Sequence, residues 1–452
     1  MSMEDLFLTT SQAVNLKALF SYFYQAFYQF FLVFKNWWWI LPPFILWKPF
    51  LYLWLFWRRE LWLKRDFVPT IFEIKFPKES IKPVRAMESV LDGLWQAFWE
   101  PPNYWEKWWD GLISLGFQWE IVSVEGDIHI YIRFPLKRKG IVEAAIYSQY
   151  PDAELTIAED YTKKLPPDIP NKEWDMWAAD YCFIRPDPYP IKTYRVFEPS
   201  ASEAAVEEKR VDPMTLLLEA MHNVKPGEQL WVQIQASPIA QDVIKPFIKE
   251  GEAIRDKLAK RPQKTKPKPI LQEAIEVLVS GPAKKIEKKE ELFPPEMRLT
   301  PGEREVVEGV ERKISKSAFR CSARFIFFGK RDVWEKAKLR MVFSYFGSYV
   351  TQDMNGLVPC GKTITKVYSR PPVKTLDPAR LYLRKRRMLR QYKERFEPTF
   401  PQAGNYKTGH FILNSEELAS LFHFPSWRVA PTPTIPRVES KRGGPPSDLP
   451  TE

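Results

Sequence analysis

Residues 117–134 read FQWEIVSVEGDIHIYIRF, two runs of alternating apolar and polar side chains, Phe117–Val124 and Ile128–Phe134, joined by Glu125–Gly126–Asp127. A period of two places successive side chains on opposite faces of a strand, and a short glycine-containing link between two such runs signals a hairpin. Upstream, Ile71–Phe76 (IFEIKF) alternates in the same way, and Ala86–Trp99 (AMESVLDGLWQAFW) repeats apolar residues at helical spacing. Downstream, Ile141–Tyr150 reads as a helix and Ala153–Ala158 as a strand.

The resulting order, βαββαβ, is the ferredoxin-like arrangement, in which two helices cover one face of a sheet. It repeats further along. Ile191–Phe197 reads as a strand, Pro213–Asn223 as a helix, Gln229–Ser237 and Phe319–Phe328 as strands, Val333–Phe346 as a helix and Lys362–Tyr368 as a weak final strand. An insertion, Pro238 to Ser317, has helical patterns at both ends; its charged, proline-interrupted middle (Lys260–Pro269, Lys284–Glu291) reads as a mobile linker. The expected fold is therefore α+β: a membrane helix or helices over residues 1–66, two tandem ferredoxin-like domains at 67–165 and 178–375 (insertion 238–317), C-terminal helices over 376–425, and a proline-rich tail at 426–452 that a partner would order.

The membrane expectation rests on Leu16 to Trp57, almost uninterrupted apolar and aromatic sequence that breaks at Arg58 and Arg59. Trp37, Trp38, Trp39, Trp47, Trp54 and Trp57 suit the headgroup level, where an amphipathic ring meets both phases. Two divisions fit a bilayer that needs about 20 apolar residues per span. One is a hairpin, Ala18–Phe34 and Trp37–Trp57. The other, preferred because Ser21, Gln25 and Gln29 give the first helix a polar edge, is an interfacial helix followed by a single span from Trp37 to Trp57. Lys48 and Pro42–Pro43 weaken that span. Arg58, Arg59, Lys64 and Arg65 follow it closely, so the positive-inside rule puts the main body in the cytoplasm, on an inner membrane.

A net charge of +11 permits contact with nucleic acid or anionic lipid without requiring either. Three isolated cysteines, Cys182, Cys321 and Cys360, indicate no disulfide framework. The four histidines are not spaced for a metal, and no cofactor is implied. His129 falls in a strand, and His423 follows a helix whose last carbonyls it can bond. Gly356 to Thr363 fits GxxxxGK[ST], the phosphate-binding loop, with Gly356, Gly361, Lys362 and Thr363 in the motif positions. Neither a buried strand before it nor a helix after it is readable, so the match is read as chance and the chain as no enzyme.

Arg384, Lys385, Arg386 and Arg387 lie on a basic helix, Asp377 to Glu397, that could meet DNA or anionic lipid as sequence-independent charge. Asn414 and Glu417 have the spacing of a capping box at the head of a helix running from Ser415 to Phe422.

Two resemblances add to these readings. Phe72–Pro77, the PVRAM run at Pro83–Met87, Trp119–Pro135, Val142–Glu154 and Asp187–Thr193 (DPYPIKT) resemble a membrane-anchored family of unknown function from ultra-small candidate-phyla bacteria; the likeness runs from about Trp47 to the C-terminus. Ile412–Pro425 (ILNSEELASLFHFP), with Val429–Pro436 and Ser440–Pro450, is similar to the segment preceding the motor domain in type IV secretion and conjugation-type ATPases. No motor domain follows here. The resemblance implies a non-motor, membrane-tethered companion of such an ATPase, with the motor a partner in trans and Glu417, Leu418, His423 and Pro425 as its docking residues.

Overall fold

The decisive pairing is made by residues 117–134 in both directions. In the computed structural model, Phe117–Val124 (β2) and Asp127–Pro135 (β3) form the hairpin read from sequence, and β2 also pairs along its whole length with Glu228–Pro238 (β6), from Phe117↔Ala236 to Val124↔Gln229. The structure describes residues 20–32, 35–77, 82–197, 212–239, 241–259, 299–335, 338–399, 404–425 and 437–438. It falls into two units, one of residues 1–66 with 104–112 and one of residues 67–103 with 113–452.

The second unit is built on one sheet. With Pro69–Pro77 as β1, Glu154–Ile157 as β4, Trp174–Phe183 as β5, Ala318–Lys330 as β7 and Leu357–Pro359 as β8, the strand order is β4-β1-β3-β2-β6-β7-β5-β8. Phe411–Asn414 (β9) pairs the start of β7, and Arg437–Val438 (β10) adds a short parallel contact to β1; all other pairings are antiparallel. Two tandem ferredoxin-like domains are thereby overturned. Neither half has an edge at β2 or β6, because each spends that edge on the other half, and the strand order is that of a single sheet. Along the chain both halves do follow the same path outward from the β2–β6 seam: second, third, first and fourth strand.

Alternation explains why the sheet is covered on both faces. Phe72, Ile74, Trp119, Ile121, Ile130, Ile132, Val232, Ile234, Phe325 and Phe327 enter one core, with the helices Val84–Phe98 (α2), Lys139–Tyr147 (α3), Pro213–His222 (α4), Leu339–Gly347 (α7) and Ser415–Leu421 (α9). Ile71, Val122, Tyr131, Trp231, Ile326 and Phe328 enter a second core, closed by Met388, Leu389 and Tyr392 of Asp377–Lys393 (α8) and by Tyr161, Leu165 and Ile169. Two helices, Gln241–Leu258 (α5) and Pro301–Ser315 (α6), form the described ends of the insertion; its middle, including Lys260–Pro269 and Lys284–Glu291, lies outside the described residues.

Two strands lie elsewhere than their periodicity indicates. The first strand of the second half is Trp174–Phe183, whose sequence WDMWAADYCF does not alternate because nearly all of it is buried; Ile191–Phe197 ends in a short helical turn at Tyr194–Phe197. The last strand is Leu357–Pro359, before Lys362–Tyr368 rather than within it. The tail reading is corrected at one point: Arg437 and Val438 pair with Phe76 and Pro77 of the same chain.

In the first unit, residues 20–32 and 35–37 are helical, Trp38–Ile40 tightens into a 3-10 turn, and Leu41–Asp66 forms α1 with Pro49 inside it. Among the described residues no single helix is long and apolar enough to cross a membrane; Phe20–Trp37 and Pro42–Arg65 pass that test only together, bent by 50°. The single span from Trp37 to Trp57 is corrected accordingly: the turn at Trp38–Ile40 breaks its start, and the continuous helix that follows carries Lys48 and is not apolar enough to cross alone.

Candidate membrane interface and a polar row across the sheet

An aromatic surface dominates the first unit. Phe20, Tyr22, Phe23, Tyr24, Phe27, Trp37, Trp39, Phe44, Trp47, Tyr52 and Trp57 are all exposed, a concentration of large apolar side chains far beyond the isolated ones that a water-facing surface carries. Trp54 is more enclosed, packing edge-on to Trp57 and against Trp109, with ring centroids 5.6 Å apart in both cases. Arg58 lies over the adjacent Trp54 and Trp57 rings, 5.9 Å from each centre, and pairs with Asp110 at 3.9 Å. Its guanidinium therefore makes cation–π contact with both rings. Arg59 follows it on α1, and Lys64 and Arg65 are exposed at the helix end, where cations suit the helix dipole.

A second constellation was not visible in the sequence. Register pairs align Glu73, Tyr131, Glu120, Gln233, Arg324 and Asp180 in one line across β1, β3, β2, β6, β7 and β5. The line lies on the face covered by α8, and Glu120, Gln233, Arg324 and Asp180 are buried there. Glu120 is the hub: it accepts hydrogen bonds from Gln233 Nε2 (2.7 Å), Tyr161 Oη (2.7 Å) and Arg395 Nε (3.1 Å). Arg395 also bonds Asp160 through Nη1 (2.6 Å) and Nη2 (3.0 Å). Burial would raise the Glu120 and Asp160 carboxyls, but Arg395 outweighs it and holds both below their usual range. Arg395 is correspondingly held above its ordinary value, burial being overcome chiefly by Glu120. Arg324 Nε bonds Asp180 Oδ1 at 2.9 Å.

This network fixes α8. Lys385 is buried with its Nζ 2.5 Å from Asp175, Tyr392 Oη meets Tyr161 Oη at 2.9 Å, and Arg395 clamps the helix end. The basic run is thus divided by function. Lys385 faces inward, Arg384 bonds the carbonyls of Ile364 and Lys366 at 3.2 Å each, and Arg386 and Arg387 are exposed with Arg380 and Arg390.

The loop Gly356–Thr363 does not form a phosphate cradle. A three-residue strand lies inside the motif, and Gly361, Lys362 and Thr363 form a turn followed by irregular chain rather than a helix. Cys360 within the motif is joined to Cys182 in a disulfide across 178 residues, where the sequence indicates no disulfide framework; Cys321 is free and buried. Among the described residues no three His, Cys, Asp or Glu side chains gather as a metal site.

The docking residues are corrected too. The capping box forms, with Asn414 Oδ1 accepting from Glu417 N at 2.8 Å and Glu417 Oε2 from Asn414 N at 3.0 Å. But Glu417 and Leu418 are fully buried, Glu417 pairing with buried Lys313 at 3.1 Å and accepting from Ile191 N at 2.8 Å. His423, also buried, lies 3.1 Å from the Ala419 carbonyl and 3.0 Å from Asp212, while Pro425 is half-buried at the end of the segment. Glu417, Leu418 and His423 are thus spent inside the fold rather than exposed at its surface.

Residues 81–435 match the family described as Domain of unknown function (DUF8128). The chain belongs to this family. The match spans most of the sheet unit, including the polar row from β2 onward, α8 and the buried β9–α9 segment. A comparison with proteins of curated function finds no match.

Proposed function

We propose that this DUF8128 protein is a membrane-bound, non-enzymatic scaffold subunit of a conjugation-like or type IV secretion-like translocation machine, holding a separately encoded motor ATPase at the cytoplasmic face of the inner membrane. The observation that carries the membrane part is the exposed aromatic surface of residues 20–57, whose cost in water would be relieved by lipid. A scaffold role is supported by the sheet unit, in which the acids and bases of the polar row are committed to holding strands and α8 together. The likeness of Ile412–Pro425 to a pre-motor segment is carried by buried side chains, so it supports a shared folding element and leaves docking to other surfaces.

Purification of the full chain from its native membranes in mild detergent tests the proposal. Co-recovery of a conjugation-type ATPase is expected; repeated recovery with no ATPase and no translocation component would contradict it. With the sheet unit in the cytoplasm, Cys182 and Cys360 would meet a reducing environment, and thiol labelling in intact cells reports which side they occupy.

A second reading, a membrane-tethered DNA-binding scaffold, is favoured by the rigidly held face of α8 with Arg380, Arg386, Arg387 and Arg390 exposed. It predicts affinity for duplex DNA that falls steeply with salt and weakens on neutralising Arg386 and Arg387.

A further inference from the structure

The aromatic unit contains a segment from far outside the N-terminal run. Tyr104–Leu112 (YWEKWWDGL) leaves the sheet unit after α2, joins the first unit, and returns to begin β2. It forms a wide helical turn at Glu106–Asp110, closed by Leu112 N donating to Glu106 O at 2.9 Å.

The segment is docked on α1. Trp54 Nε1 donates to the Trp108 carbonyl at 3.0 Å, Arg58 Nε donates to the Trp109 carbonyl, and Trp109 packs on Trp54. Gly111 makes the approach feasible: it has a φ of +76°, and a Cβ there would lie 2.5 Å from the Arg58 carbonyl carbon. Docking turns three large rings outward. Tyr104, Trp105 and Trp109 are 69, 71 and 61% exposed.

Resting on the membrane reading above, we infer that Tyr104–Leu112 is a second lipid-contacting element, a headgroup-level aromatic foot beside α1 within the first unit. Tyrosine and tryptophan are the side chains suited to that depth, since each buries a ring in the acyl boundary and keeps a polar atom in the headgroups. Glu106, Lys107 and Asp110 alternate with the rings in sequence, so the segment has the composition of an interface and not of a span. The occupant argued for is a phospholipid surface continuous with the one that α1 meets.

The test uses the full chain bound to vesicles of phosphatidylcholine and phosphatidylglycerol. A bimane is placed at Trp105→Cys, Trp47→Cys or Lys172→Cys; Cys182, Cys321 and Cys360 are all buried, and the unsubstituted chain carried through the same labelling supplies the blank. Lipids carrying a nitroxide near the headgroup or deep in the acyl chain act as quenchers. The inference predicts that position 105 is quenched by the shallow nitroxide several-fold more than position 172, and that position 47 is quenched as well. If 47 is quenched while 105 behaves like 172, the foot is overturned and the membrane reading stands; if neither is quenched, both fall. Gly111→Ala, which blocks docking, is expected to release position 105 from quenching and leave 47 unchanged. Amide exchange of the unlabelled chain gives an independent check, since lipid should slow exchange in residues 104–112; unchanged exchange there contradicts the inference.

Discussion

Tryptophan meets opposite fates in the two units. Trp119 and Trp231 are completely buried, the first stacked on Phe422 at 4.5 Å and the second against Tyr161 at 4.7 Å, whereas Trp47 and Trp105 keep more than half their surface open. The same side chain is a structural keystone in the sheet and an outward-facing surface in the aromatic unit. Composition alone does not distinguish the two; neighbours do. In the sheet, strand alternation and covering helices supply apolar partners on both faces. On α1, apolar residues occur around the whole helix, and among the described residues Phe44, Trp47, Tyr52 and Trp57 stay exposed while Trp54 and Trp62 are more enclosed.

Substitutions should separate these settings. Removing a buried ring leaves a cavity, so Trp231→Ala is expected to destabilise the sheet unit by about 3–5 kcal/mol in denaturant unfolding. Trp47→Ala should change that transition by less than about 0.5 kcal/mol and instead weaken vesicle binding. Equal destabilisation by both would erase the contrast.

Arg395→Ala should cost a similar amount, about 3–5 kcal/mol, because it strands the buried Glu120 carboxylate and breaks the clamp on α8. The pH dependence gives the second sign of the same network. The Glu120 and Asp160 carboxyls are held below their ordinary values, so their contribution is present above the unfolded carboxylate range and is lost as pH falls through the depressed native values. Acid unfolding of the wild-type chain should show this loss, and Arg395→Ala should flatten it.

A smaller effect of opposite sign is expected at Asp187. Burial pushes this carboxyl up to about 6, although it accepts a hydrogen bond from Ile412 N at 2.9 Å and Lys313 opposes the rise. The folded state therefore binds this proton more tightly, and the carboxylate destabilises above that value. Asp187→Asn should stabilise the chain by on the order of 2 kcal/mol at about pH 8 and by little at about pH 4. Stabilisation of the same size at both pH values would dismiss the linkage.

The smallest structural effect is expected on the outer face of α8. Arg386→Ala with Arg387→Ala should leave stability within about 0.5 kcal/mol while lowering the salt dependence of any binding to DNA or anionic vesicles. Lys385→Ala, by contrast, removes the inward ion pair with Asp175 and should loosen the helix.

How much was legible follows from these particulars. The hairpin at residues 117–134 and helices α2 and α4 declared themselves because each has one apolar face, and α9, buried all round, is legible only through the local chemistry of the Asn414–Glu417 capping box. The β2–β6 seam was not legible: both strands alternate as edge or central strands would, and nothing in a single strand names its neighbour. Strand β5 was missed because burial on both faces removes the period. The polar row was missed for the converse reason: Glu120, Gln233 and Arg324 occupy positions that alternation assigns to solvent, and only the fold reveals that α8 covers them. The Tyr104–Leu112 foot is nine residues among two prolines and an asparagine, too short for periodicity, and its membership of the aromatic unit is a tertiary fact.

The central claim, that the aromatic unit holds this protein on a lipid surface by apolar contact, is tested most directly by flotation of the full chain with phosphatidylcholine–phosphatidylglycerol vesicles in about 1 M salt, where charges are screened beyond about 3 Å. The account predicts that the protein floats with the vesicles at high salt as at low salt and is released by detergent. Release into the aqueous fraction by salt alone would show that charge holds it there and would contradict the claim.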